Sequence, residues 1–271
     1  MPPETQPVLP AAGARIARQH GESCYARAPM GQPGELRIVA SKDALREAAL
    51  ALLLERAREA LEQRGAFHVA VSGGSTPLAL YEALPQRCAD FSGWHVWAVD
   101  ERCVPPDHAD SNFRQVREAW LDRAAAPPTG VHRMRGEDDP QHAARDYERE
   151  LRATLGAQPR LDMALLGIGS DGHTASLFPS SAALEERSLL VMAVRAPAQP
   201  PLRITLTVPA LELARALVFL VAGPEKAAAL RGVLAPRDAQ PPLPARLVAE
   251  RNARTLWLAE RSAAALVPGS G

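Results

Sequence analysis

The sequence predicts an α/β protein with a mostly parallel, Rossmann-like sheet flanked by helices on both faces and a smaller accessory α/β part. Short apolar runs alternate along the chain with segments of helical period, a pattern typical of parallel strands joined by helices. The run Leu161 to Ile168 is continuously apolar, as expected for a strand buried on both faces. Several runs end in turns rich in glycine or charge, and the ligand crevice of a parallel sheet lies beyond such strand ends.

Ordered structure is predicted to begin near Glu35. Residues 1–34 hold many Pro, Gly, Ala and Arg residues without a sustained apolar period, so we expect a flexible leader there. Residues 35–271 are then expected to form a single α/β domain. Leu36 to Ala40 is the first predicted strand, and Ser41 is expected to cap a helix with apolar residues at helical spacing.

A second strand, starting at Phe67, leads into the turn Ser72-Gly-Gly-Ser-Thr76. Thr76 is the expected N-cap of the helix that follows, with Pro77 at its first position. Glycines let the backbone approach a ligand closely, and free N–H groups at a helix start bind anions such as phosphate. The turn matches neither a Walker A loop nor a dinucleotide fingerprint. It therefore predicts a small phosphorylated ligand, the alternative being a tight turn without one.

A third strand, starting at Trp94, ends in Asp100-Glu101-Arg102. A proline-containing loop then leads to Ser111, a predicted helix N-cap. Charges at this end of a strand belong at the crevice, where an Arg can clamp phosphate or a developing oxyanion. The alternative is that these charged residues only form ion pairs with one another where the loop begins.

The most informative turn follows the apolar run that starts at Leu161. Gly167-Ile-Gly-Ser-Asp-Gly-His173 presents Asp171 and His173 side by side. Histidine transfers protons near neutrality, and a carboxylate two residues away can orient it or offset its charge. The pattern indicates a catalytic pair, the alternative being a solvated turn that happens to hold both residues.

Further elements continue the alternation of strand and helix. A helix is predicted from Pro140 to about Leu155, and another around Glu225 to Arg231. The further predicted strands are Leu189 to Val194, Arg203 to Val208, Leu217 to Val221 and Thr255 to Ala259. Ala235 to Pro244 is expected to be a surface loop.

The composition excludes several classes of protein. Lys+Arg and Asp+Glu are both 31 in 271 residues, so no global field attracts nucleic acid or an acidic membrane. The three cysteines show no spacing typical of a zinc site or a disulfide framework. No signal peptide is evident, and no apolar run approaches the roughly 18 residues of a membrane span. We expect a cytoplasmic protein without a nucleic-acid or membrane partner.

Five segments, in this order, resemble motifs of the 6-phosphogluconolactonase family and, more distantly, of the related glucosamine-6-phosphate isomerases/deaminases. The resemblance covers about residues 35 to 262. The segments are Ser72 to Pro77, Val99 to Arg102 followed by Ser111 to Arg114, Gly167 to Pro179, Pro201 to Thr207, and Gly223 to Ala227.

The resemblance implies hydrolysis of 6-phosphogluconolactone without a metal, a cofactor or a covalent intermediate. His173 would activate water, Asp171 would hold its tautomer or offset its charge, and Arg102 would face the oxyanion or the phosphate. Asp100 is expected at the substrate too, although it could only orient Arg102 or cap a nearby loop. The residues expected to bind the phosphate are Gly73, Gly74, Ser75, Thr76, Arg203 and Lys226.

Alternative functions remain at this stage. The deaminase branch typically carries Glu five residues beyond the His and Tyr after the Asp-Glu pair, whereas this chain has Phe178 and Arg102 there. Both differences favour the lactonase. A non-catalytic phosphosugar-binding module is the second alternative, and a serine esterase is disfavoured because no Ser lies in a Gly-x-Ser-x-Gly turn. The expected partner is a small phosphosugar lactone, and the chain is expected to be a monomer or small homo-oligomer.

Overall fold

The fold is taken from a computed structural model that describes residues 33–235 and 242–268. Residues 1–32 of the predicted leader therefore lie outside the described residues, as does most of the predicted loop from Ala235 to Pro244. The first predicted strand and the Ser41 cap are both confirmed, since the Ser41 hydroxyl accepts from the N–H of Ala44 at 3.2 Å.

Ten strands are formed by the described residues. Their bounds are β1 Glu35–Val39, β2 Phe67–Val71, β3 Trp94–Ala98, β4 Asp100–Arg102, β5 Gly130–His132, β6 Met163–Leu166, β7 Val191–Arg195, β8 Leu202–Leu206, β9 Leu217–Val221 and β10 Thr255–Glu260. The α-helices of the same residues are α1 Lys42–Arg64, α2 Ser75–Arg87, α3 Asn112–Ala119, α4 Pro140–Leu155, α5 Val208–Leu213, α6 Ala227–Leu234 and α7 Pro244–Arg251.

Seven strands form one sheet in the order β1-β10-β9-β6-β2-β3-β5, and every neighbouring pair is parallel. Successive residues of each strand point to opposite faces. Val96, for example, belongs to a core cluster that includes residues of α1, α2 and α3, while the next residue, Trp97, belongs to a second cluster that includes residues of α4 to α7. The predicted parallel sheet with helices on both faces is confirmed.

The second sheet is smaller and antiparallel, with the order β4-β8-β7. The sequence pattern predicted β7 and β8 as parts of the alternating parallel series, and this was wrong. The chain leaves the main sheet after β3 at Val99, whose N–H donates to Val71 and whose carbonyl accepts from the N–H of Leu206. This crossover at Val99 joins the two sheets, so β4 begins a new sheet instead of extending β3.

The start of α2 also differs from the prediction. The helix begins at Ser75 after Gly74, which has φ +107° and makes no side-chain cap, so Thr76 is not the N-cap and Pro77 is the third helical residue. Because the Leu78 N–H already bonds to the Gly74 carbonyl, the helix closes before Thr76 could cap it. Helices α5 and α7 and strand β5 were not predicted, being six, eight and three residues long.

Candidate active site

An open cleft of about 410 Å³ lies at the carboxyl ends of β2, β6 and β9. This is the edge at which a parallel sheet binds ligands. Nine of the ten predicted site residues line it, namely Gly73, Gly74, Ser75, Thr76, Asp100, Arg102, His173, Arg203 and Lys226. Asp171 is not part of the lining but contacts His173, so the fold brings all ten predicted residues together.

Asp171 and His173 form the predicted pair. The Asp171 Oδ1 atom lies 2.6 Å from His173 Nδ1 and 3.1 Å from the backbone nitrogen of His173. Partial burial acts to raise the pKa of Asp171, but the hydrogen bonds from His173 lower it below the usual value. An ionised Asp171 accepts the Nδ1 proton, which leaves Nε2 as the atom able to accept another proton.

Gly169 lies directly beside this pair. A Cβ atom on Gly169 would be 2.1 Å from His173 Nδ1 and 2.5 Å from Asp171 Oδ1. The Gly169 N–H also donates to the His173 carbonyl at 2.8 Å, which closes the loop on itself. The glycine is thus required by close approach of the two side chains, a requirement not evident from the sequence.

Phe178 packs against the imidazole of His173. Its ring centroid lies 4.6 Å from that of His173, and it is buried in the wall of the cleft. An apolar ring at this position offers the imidazole a packing surface and no second proton donor or acceptor.

The glycine turn forms another part of the cleft wall. The first-turn N–H groups of Ser75 and Thr76 have no acceptor within α2, as at any helix start, so they are available to an anion. The Gly74 N–H, in contrast, already donates to Gln115 Oε1 at 3.1 Å. Among the predicted phosphate donors, Gly74 therefore has a backbone amide that is already used in a hydrogen bond within the protein.

Two arginines lie side by side at the cleft, because Arg102 of β4 pairs with Arg203 of β8 across the small sheet. Arg203 is buried and donates to the carbonyls of Pro200 and Gln199. Burial, followed by the charge of Arg102, lowers the pKa of Arg203 below its usual value. An anion between the guanidinium groups would offset this repulsion.

Asp100 is held by the protein on both carboxylate oxygens. Its Oδ1 accepts from Asn112 Nδ2 at 3.2 Å, and its Oδ2 accepts from the Ser176 hydroxyl at 2.6 Å. All three residues are buried in the cleft wall. Asn112 and Ser176 fall within the segments on which the family resemblance rests, but their roles depend on contacts between distant parts of the chain.

Glu101 is a further residue whose role was not predicted. It is buried, and its carboxylate accepts from the Ser111 hydroxyl and from the N–H groups of Asn112 and Phe113 at the start of α3. Burial raises the pKa of Glu101, while these hydrogen bonds oppose the rise. Ser111 caps α3 as predicted, accepting from the N–H of Arg114 at 3.1 Å.

A second cavity, of about 360 Å³, lies at the opposite edge of the main sheet, where β6, β9 and β10 begin. Arg64 Nη2 and Arg215 Nε approach the same oxygen of the buried Asp162, at 2.9 and 3.3 Å. No predicted site residue lines this cavity, and its carboxylate is already paired with two cations. We therefore take the cleft at the carboxyl ends as the candidate site.

Two further properties concern the described residues only. Residues 33–235 and 242–268 contain no group of three or more His, Cys, Asp or Glu side chains arranged to hold a metal ion. The same part of the chain has no helix with both the length and the apolar character needed to cross a membrane.

Comparison with known proteins agrees with the resemblance in the motifs. The sequence profile of the family described as glucosamine-6-phosphate isomerases/6-phosphogluconolactonase matches residues 40–257. The chain belongs to this family. A 6-phosphogluconolactonase of Synechocystis sp. is 39% identical over 234 residues, which cover 84% of this chain and 96% of the relative. The human 6-phosphogluconolactonase is 35% identical over 244 residues, covering 87% and 94%.

Solved structures give the same fold. The chain is similar to 6-phosphogluconolactonase from Thermotoga maritima, with a TM-score of 0.73 and 30% identity over 83% of this chain and 99% of that one. The enzyme from Trypanosoma cruzi gives a TM-score of 0.79 at 26% identity, covering 90% and 100%. A monomeric glucosamine-6-phosphate deaminase, 19% identical with a TM-score of 0.71, shares the fold.

Proposed function

We propose that this protein hydrolyses 6-phospho-D-glucono-1,5-lactone to 6-phosphogluconate, a step of the oxidative pentose phosphate pathway. The relatives named 6-phosphogluconolactonase support the reaction class. The observation that carries the proposal is the Asp171–His173 pair at a cleft whose other walls hold two arginines, a lysine and a helix start. A cytoplasmic location and the oligomeric state stay predictions.

In the proposed mechanism, His173 Nε2 removes a proton from a water molecule as the water oxygen bonds to C1 of the lactone. The C1–O5 bond of the resulting tetrahedral intermediate then breaks, and the imidazolium returns its proton to O5. The carboxylic acid so formed releases a proton to solvent. Asp171 holds the Nδ1 proton throughout and offsets the transient positive charge.

The cationic groups divide between two anionic parts of the substrate. Lys226, Arg203 and the first turn of α2 are proposed to hold the phosphate, which anchors the lactone with C1 near His173. Arg102 faces either the same phosphate or the oxyanion that develops on C1. Either role uses the planar donor fork of the guanidinium.

Phe178 supports the lactonase over the deaminase branch of the family. It packs on the His173 ring at the position where the deaminases typically carry a glutamate. A phenyl ring can transfer no proton during ring opening of an amino sugar.

A direct assay tests the proposal. Freshly made 6-phosphogluconolactone is followed with and without the protein, because the lactone also hydrolyses spontaneously. We expect acceleration by the wild type, and a decrease in kcat of roughly 10²-fold or more in His173→Ala with little change in affinity. Release of ammonia from glucosamine 6-phosphate would instead indicate the deaminase, and binding without turnover would indicate a phosphosugar-binding module.

A further inference from the structure

We propose that Asp100 is a positioning residue, which fixes the His173 loop and the glycine turn in one geometry, instead of a ligand of the substrate. The inference rests on the proposed function in one respect, that the two segments it joins are those assigned to catalysis and to phosphate binding. It assigns Asp100 a role different from the substrate contact that the sequence predicted.

The first contact of Asp100 reaches the loop that carries His173. Ser176, three residues beyond His173, donates its hydroxyl proton to Asp100 Oδ2 at 2.6 Å, and its backbone N–H donates to Thr205 Oγ1 at 3.2 Å. Ser176 is 1% exposed, so water cannot replace either partner. The loop is thereby tied to β4 and β8 at a point close to the imidazole.

The second contact reaches the glycine turn through Asn112. The Asn112 Nδ2 group donates to both Asp100 Oδ1 at 3.2 Å and the Asp100 carbonyl at 2.9 Å. These two bonds fix the orientation of the amide and direct Asn112 Oδ1 towards Gly73, where a Cβ would lie only 1.9 Å from that oxygen. The turn before α2 therefore packs against an amide held by Asp100.

Exposure and bonding both argue against direct contact with the substrate. Asp100 is 7% exposed, and each carboxylate oxygen already accepts a hydrogen bond from a buried donor. Its charge also acts on Arg203 across the small sheet. The carboxylate is thus used within the wall of the cleft, where a broken contact would move catalytic groups.

Two substitutions at one position separate geometry from charge. In Asp100→Asn, the amide oxygen can accept from Asn112 Nδ2, and the amide nitrogen can donate to Ser176, whose hydroxyl rotates to accept. Asp100→Ala removes both contacts of the carboxylate and leaves only the bond from Asn112 to the Asp100 carbonyl. We expect kcat to fall less than about tenfold in Asp100→Asn, with KM within about threefold, and to fall roughly 10²-fold in Asp100→Ala. Loss of activity in Asp100→Asn equal to that in Asp100→Ala would overturn the proposal, since the charge itself would then be required.

A double-substitution cycle gives a readout that does not depend on turnover. The denaturation free energies of Asp100→Ala, Ser176→Ala and the double variant should be non-additive, because both single variants remove the same contact. The His173 ring resonances, followed by NMR, should shift in Ser176→Ala and stay near the wild-type positions in Asp100→Asn. If Asp100→Ala does not fold, the His173 resonances of Ser176→Ala and Asp100→Asn can still be compared.

The outcomes distinguish the two proposals. Absence of lactone hydrolysis by the folded wild type would contradict the proposed function, while the cycle and the NMR comparison would still test the positioning role. Additive destabilisation together with unchanged His173 resonances in Ser176→Ala would contradict the positioning role alone.

Discussion

At the scale of single residues, the loop after β6 contains two glycines with different surroundings. Neither Gly167 nor Gly169 adopts a positive φ, so alanine is compatible with the backbone at both positions. A Cβ at Gly169 would collide with His173 and Asp171, whereas a Cβ at Gly167 would meet no atom within 4 Å. Alanine substitutions at the two glycines therefore separate a steric effect on the His173 and Asp171 side chains from the general effect of losing a glycine.

We predict that Gly169→Ala lowers kcat for the lactone by roughly 10²-fold, because displacement of a catalytic group by about 1 Å costs that much. The matched control, Gly167→Ala, should change kcat by less than about threefold. Steady-state kinetics on both variants, after circular dichroism has confirmed folding, make the comparison. If Gly169→Ala were as active as wild type, like Gly167→Ala, the Asp171–His173 contact would not be needed for turnover.

The proposed phosphate anchor is tested most cleanly at Lys226. Arg203 also holds the backbone of residues 199 and 200, so its substitution would disturb a loop as well as a charge. Lys226→Met should raise KM for the phosphorylated lactone by roughly tenfold, which corresponds to the loss of one charge-assisted hydrogen bond to the substrate. KM for unphosphorylated gluconolactone should barely change. Arg231→Met, which removes an exposed charge outside the cleft, is the control.

The contact between two side chains of the site that the sequence predicted is one of short range. Asp171 and His173 lie two positions apart, so their contact follows from the local turn. Asn112 and Ser176 reach Asp100 from 12 and 76 positions away, and only the fold brings them together. For these residues, periodicity and turn chemistry give no signal, because such signals are local.

At the scale of elements, three histidines form a row across neighbouring strands of the main sheet. His68 of β2 stacks on His95 of β3 with centroids 4.5 Å apart, and His95 Nδ1 lies 3.1 Å from Nε2 of His132 in β5. His68 Nδ1 also accepts from Trp97 Nε1 at 3.2 Å, which requires an unprotonated nitrogen. Burial, and then the neighbouring imidazoles and Arg64, lowers the pKa of His68 to about 4.

This row predicts a loss of stability in acid. The pKa of His68 is about 4 in the folded state and about 6.5 in an unfolded chain, so the unfolded chain binds more protons between these values. The free energy of unfolding should therefore decrease as pH falls from about 6.5 to about 4. Urea denaturation at several pH values measures the slope, which His68→Gln should reduce.

Among the elements, six of the seven strands of the main sheet were predictable because they lie in apolar runs, whereas β5, with three residues, was not predicted. β9 has the predicted bounds Leu217–Val221, and all five of its residues are buried. β7 and β8 were predicted as strands, but their pairing was not, because a strand's own pattern does not say which neighbour it joins. The early start of α2 depends on the positive φ of Gly74, which the sequence allows but does not require.

At the scale of the whole molecule, charge is balanced globally and concentrated locally. The chain has 31 basic and 31 acidic residues, whereas Arg102, Arg203 and Lys226 all line the cleft. A net charge of zero gives no long-range attraction for an anionic substrate, so any attraction must act within about a Debye length, roughly 10 Å at 0.1 M salt.

We predict that kcat/KM for the phosphorylated lactone falls a few-fold as ionic strength rises from about 0.02 to 0.5 M, because salt screens these cleft cations. The value for unphosphorylated gluconolactone should change little over the same range. Lys226→Met should show a shallower decrease than the wild type. Identical salt dependence for the two lactones would mean that the cleft cations do not act on the phosphate.

The pairing of β1 with β10 has a consequence for synthesis of the chain. Among the residues that the structure describes, β1 pairs only with β10, and Glu35 lies opposite Leu256, more than 200 positions later in the chain. During translation, the backbone carbonyl and N–H groups of β1 have no strand to pair with until β10 has left the ribosome. Until then they are hydrated or bound by a chaperone. The glycine turn after β2 and the His173 loop after β6 are synthesised much earlier. The sheet that aligns them, however, is complete only once β10 has emerged. Enzymatic competence should therefore arise in a single late event of biosynthesis, not gradually as the chain lengthens.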